Sequence, residues 1–176
     1  MTLSQPYLAL LVVLLLPAML FDIRQHRIPN WLTLPAWVIG IGLHAILGGW
    51  DGFLDAGAGW LVLFGLMFPF FVLGWMGAGD VKLMAGVGAI VGWGLAFQVA
   101  FGIVVTGLLM SMLVLARKRL LGSATTRFWH MFGISVAARS PTLIETPAAE
   151  ARLILPYAIP IGVGTFLSLL VMHYFF

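Results

Sequence analysis

Two aspartates carry most of the chemistry this chain can offer. Asp80 sits in Gly77-Ala78-Gly79-Asp80-Val81-Lys82-Leu83, a carboxylate among glycines at the mouth of an apolar run. Asp22 ends another apolar run and opens Asp22-Ile23-Arg24-Gln25-His26-Arg27-Ile28-Pro29-Asn30. Only 9% of the residues are charged. Ionisable groups at membrane depth are costly, and each marks a candidate functional site. Two carboxyls held close together cannot both ionise, and they share a proton. One can then act as base on a water while the other, protonated, polarises a carbonyl, which is peptide hydrolysis with no metal and no covalent intermediate. Gly77 and Gly79 would let an extended substrate backbone approach Asp80. Lys82 either tunes a neighbouring carboxylate or marks the membrane edge.

Each aspartate also has a plainer role open to it. Asp80 before an apolar run fits an ordinary helix N-cap. Asp22 with Arg24 and Arg27 fits an interfacial ion cluster, and Pro29 with Asn30 fits a turn into the next helix.

Other chemistries find no support in the sequence. The four histidines are scattered and no H-E-x-x-H occurs, so zinc-protease chemistry and any metal site are not expected. No G-x-S-x-G and no G-x-x-x-x-G-K-[ST] is present, so neither a hydrolase serine nor a phosphate-binding loop is expected, and no cofactor. There is no cysteine, which excludes disulfides, thiolate metal sites and a cysteine nucleophile.

The elements that must position the two aspartates are membrane helices. Hydrophobic residues make up 62% of the 176 positions, and mean hydropathy is +1.09. The expected fold is all-α and polytopic, a single membrane-embedded domain over 1–176. Its spans are expected near 6–21, 31–48, 57–75, 81–94, 96–116 and 153–174, with a long loop at 117–152. The run from Val81 to Ala116 is too long for one crossing of a hydrocarbon core about 30 Å thick, and Gly92-Trp93-Gly94 offers a turn. No Lys or Arg precedes Arg24, so a cleavable leader is not expected at the N-terminus.

Six spans place all nine Lys and Arg on one face, and Asp51 and Asp55 on the other. The basic face is then cytoplasmic, with both termini outside. The basic residues serve as topology markers, and no nucleic-acid partner is expected. Asp22 and Asp80 are separated by two crossings and fall on the same cytoplasmic face. Ala85, Gly86, Gly88, Ala89 and Gly92 give the fourth span a small-residue face suited to close helix packing. In the loop, the segment 127–132 mixes aromatics with a cation and fits either an interfacial segment or irregular chain.

The two aspartate motifs together resemble the type IV prepilin peptidases, polytopic aspartic proteases with a G-x-G-D motif. The match covers Asp22 with Ile28-Pro29-Asn30, then Gly77, Gly79, Asp80, Lys82 and Leu83. Gly86, Gly88 and Pro156-Tyr157-Ala158-Ile159-Pro160 extend it. The resemblance implies Asp22 and Asp80 as the catalytic dyad, with Gly77, Gly79, Lys82, Pro29, Asn30 and Pro156 in support. It implies a prepilin leader peptide and its hydrophobic helix as substrate, with the lipid bilayer around them, at the bacterial inner membrane. The lack of C-x-x-C pairs likens the chain to the short form associated with Flp-type, tight-adherence pili, without methyltransferase activity. A proton-coupled transporter and a non-catalytic pilus or secretion assembly protein are the competing readings.

Overall fold

A computed structural model of the chain describes residues 5–73, 76–117 and 156–175. Among the described residues the regular structure is helical throughout. The described residues form five helices in order: α1 (Gln5–Gln25), α2 (Asn30–Val72), α3 (Ala78–Val91), α4 (Trp93–Arg117) and α5 (Ala158–Phe175). Helices α1, α2 and α4 are long and apolar enough to cross a membrane, and Ala158–Tyr174 is a shorter apolar helix. The expected loop at 117–152, with its aromatic segment, lies outside the described residues apart from Arg117 at the end of α4.

The chain divides into two compact units, 1–107 with 156–176, and 108–155. Of the second, the described part is the helical end of α4, 108–117. Everything that follows concerns the first unit.

Helix α2 is two arms, 30–48 and 50–72, hinged at Gly49 (φ 61, ψ −141), a conformation that excludes a side chain. The arms fold back sharply: a Cβ on Gly52 would run into the His44 carbonyl. The sequence suggested a link over 49–56; the reversal instead takes a single glycine, and helix resumes at Trp50. The expected turn at Gly92 is present (φ 75), and α4 starts on the next residue. The last helix starts at Ala158, later than the expected 153, after Pro156 in coil and Tyr157 in a turn.

Helix α3 is the hub. Eleven of its residues are buried, including Leu83, Met84, Val87 and Ile90. The first arm of α2 runs alongside it in the same direction. A Cβ on Gly40 would lie 3.1 Å from the Ala89 carbonyl, and the His44 ring Nε2–H donates to the Ile90 carbonyl at 2.9 Å. The second arm runs back the other way: a Cβ on Gly88 would stand 2.8 Å from the Gly59 carbonyl carbon, and one on Gly59 2.6 Å from that of Gly92. In lipid no hydrophobic drive brings helix to helix, so small residues that admit backbone contact hold such a bundle together. At this end of the bundle Asp55 Oδ1 accepts the Trp93 N–H at 3.2 Å, capping α4.

Candidate active site

Asp22 lies in the last turn of α1 and is buried at 6% exposure. Its carbonyl accepts the His26 N–H at 2.9 Å, and His26 takes a left-handed conformation (φ 49) that stops the helix and reverses the chain. The reversal brings Ile28 inward, where it is buried. Pro29 is the N-cap of α2 (φ −72, ψ 141) and Asn30 its first residue. The proline thus does what its fixed φ suits, one position ahead of the helix proper.

Asp80 is buried at 8% exposure. It is not the N-cap of α3. That place belongs to Gly77, and Asp80, at the third helical position, accepts the Gly77 N–H on Oδ2 at 3.2 Å. The carboxylate so reaches back to a donor that the first turn would leave unpaired. Gly79 packs against the Asp22 loop. A Cβ there would stand 3.2 Å from Ile28 Cβ, so the missing side chain makes room for the Asp22 loop. Gly77 remains exposed beside Asp80.

The two motifs meet. Burial, and next the charge of Asp22, push Asp80 up to about 7, with the Gly77 N–H acting in the opposite sense. At neutral pH the site can therefore hold one proton between two carboxyls, as general acid–base hydrolysis requires. Among the described residues no Arg or Lys forms an ion pair with Asp22, so the ion cluster with Arg24 and Arg27 does not form. Asp22 Oδ2 instead accepts the buried Ala158 N–H at 2.8 Å. That donor is the first of α5, unused within the helix, and its position at a helix N-terminus favours a negative partner.

Three further groups frame the pair. Tyr157, beside Ala158, places its phenol within the field of Asp80. Lys82 Nζ donates to Asn30 Oδ1 at 2.9 Å, joining the second motif to the first. Trp37 Nε1–H donates to the Lys82 carbonyl at 2.8 Å, and Gly86 leaves the space for its indole ring. The Pro156 carbonyl accepts the Ile159 N–H at 3.2 Å at the start of α5. Sequence reasoning did not single out Trp37 or the Ala158 N–H. Trp37 lies seven residues after Asn30, two turns along one face, and that spacing was the available signal. A backbone donor leaves none. Among the described residues no group of three His, Cys, Asp or Glu side chains could hold a metal ion.

Residues 9–115 match the type IV leader peptidase family. The chain belongs to that family. Similar curated proteins include the prepilin leader peptidase/N-methyltransferase of Aeromonas salmonicida, 41% identical over 93 residues, which cover 48% of this chain and 32% of the relative. The protein of the same name from Aeromonas hydrophila matches over the same length at the same identity. The matched part thus spans about a third of these leader peptidase relatives. No solved structure matches.

Proposed function

We propose that this leader peptidase family member is an aspartic endopeptidase. It removes the leader of a prepilin at the cytoplasmic face of the bacterial inner membrane, with Asp22 and Asp80 as its dyad. The observation that carries the proposal is the meeting of two buried carboxyls from distant motifs, one of them pushed up to about 7. The family match and the relatives' names supply the substrate class.

In this reading Asp22, facing the α5 N-terminus, takes a proton from the attacking water. Asp80, protonated, donates to the scissile carbonyl oxygen. The tetrahedral intermediate collapses as Asp22 gives its proton to the departing nitrogen and a hydroxyl of the intermediate returns a proton to Asp80, and the leader carboxylate and the new pilin N-terminus separate. The exposed edge at Gly77 is where an extended leader junction would lie. Methyl transfer is not part of the proposal.

The topology proposed is six crossings, with the chain acting as one membrane-embedded domain. The two arms of α2 are about 28 Å and 34 Å long at 1.5 Å per residue, each close to the thickness of a hydrocarbon core. The first arm runs with α3 and the second against it, so Asp22 and Asp80 fall at one end of the bundle. Arg24, Arg27 and Lys82 at that end support a cytoplasmic placement.

Co-expression with type IV and Flp-type prepilins, read by gel shift and by the mass of the new N-terminus, tests the activity. One cut at the leader junction of at least one class is expected. No cleavage of either class by membrane-inserted protein would overturn the proposal.

A further inference from the structure

We propose that Lys82 is a positioning residue: its ammonium, bonded to Asn30, sets the approach of the Asp22 loop to Asp80 and takes no part in proton transfer. The inference rests on the dyad reading above and adds how the dyad is held.

The interlock is built from paired positions. Asp22 and Asp80 are close enough for the charge of Asp22 to act on Asp80. Six residues after Asp22, Ile28 packs on Gly79, one residue before Asp80. Two residues later, Asn30 takes the Lys82 ammonium at 2.9 Å, two residues past Asp80. The loop thus grips α3 on both sides of the catalytic carboxyl. Lys82 is held at both ends by α2. Its head meets Asn30, and its carbonyl accepts the Trp37 N–H at 2.8 Å, seven residues and about 10 Å farther along that helix. A four-carbon stem suits this reach, and an ammonium, with donors only, suits an amide oxygen.

Three observations separate this role from catalysis. Residues two apart on a helix do not face each other, so Lys82 points away from the Asp80 carboxyl. The groups acting on Asp80 are its burial, Asp22 and the Gly77 N–H, and Lys82 is not among them. The Lys82 partner is a neutral amide, and among the described residues no carboxylate pairs with it.

The test uses the full chain in detergent with a prepilin substrate, measuring kcat and KM from about pH 5.5 to 9. Lys82→Met and Asn30→Ala should each lower kcat about 10- to 100-fold, the scale of a displacement near 1 Å, with KM changed less than about threefold. The double variant should be no worse than the poorer single. Lys82→Arg and Asn30→Asp, which preserve donor and acceptor, should stay within about fivefold of the parent. The alkaline fall in rate should persist in Lys82→Met, since Asp80 and not Lys82 carries the proton. Full activity of Lys82→Met, additive losses in the double variant, or loss of the alkaline fall would each overturn the proposal. If Lys82→Met does not accumulate, the contrast of Asn30→Ala with Asn30→Asp decides. Asp22→Asn and Asp80→Asn run alongside: cleavage by either defeats the dyad reading, whereas both inactive with Lys82→Met fully active defeats the positioning role alone.

Discussion

Replacing Asp80 by Asn should destroy activity and, above neutral pH, stabilise the protein. The substitution keeps the side-chain shape and an oxygen for the Gly77 N–H, and removes only the charge. In the folded chain Asp80 is pushed up from the ordinary 3.8 to about 7 by burial and by Asp22. Between those values the folded chain keeps a proton that the unfolded chain has released. Stability from this group is therefore full below about pH 4 and is lost as pH rises through about 7. Each unit of difference is worth about 1.4 kcal/mol, so the parent loses on the order of 4 kcal/mol across the whole window and about 3 kcal/mol between pH 5 and pH 8. The Asn variant lacks this slope. Denaturation in mixed detergent micelles, followed by circular dichroism at both pH values, measures it. The advantage of Asp80→Asn over the parent should grow by a few kcal/mol from pH 5 to pH 8. An equal offset at the two pH values would refute the claim that Asp80 holds a proton because it is buried beside Asp22.

Three other predictions come from the same geometry. Raising pH through about 7 takes the proton from Asp80, so kcat should fall on the alkaline side with a midpoint near there; a rate flat from pH 6 to 9 contradicts this. Ala158→Pro removes the N–H that binds Asp22 while placing proline at a first helical position, where it is well tolerated. Cleavage should drop about 10- to 100-fold, the worth of one hydrogen bond to a charged group, with the helix content seen by circular dichroism unchanged. Gly88→Leu forces side-chain atoms into the Gly59 backbone, which no rotamer change relieves, so thermal unfolding should show destabilisation by about 1–3 kcal/mol or more.

The catalytic candidates were legible because charge is scarce here: an aspartate between apolar runs stands out, and parity of crossings put both on one face. The break at Gly92 and the packing at Gly88 were likewise visible, as glycines where bulk would be expected. What escaped the sequence was contact geometry. The reversal at Gly49 looked longer because Asp51, Gly52 and Asp55 are polar or small enough for a loop, whereas Gly48-Gly49 lets the chain turn in one step and helix resumes beneath them. The packing of Ile28 against Gly79 joins residues 51 positions apart. Asp80 looked like a cap and is a residue reaching back to one. The Ala158 N–H is a main-chain donor whose partner is 136 residues away, so no side chain announces it.

Prepilin processing by Asp22→Asn and Asp80→Asn tests most directly whether Asp22 and Asp80 act as one catalytic unit. Each variant should insert in the membrane at parental levels and leave the prepilin uncut on the gel. Efficient leader removal by either variant would contradict the dyad and the mechanism built on it.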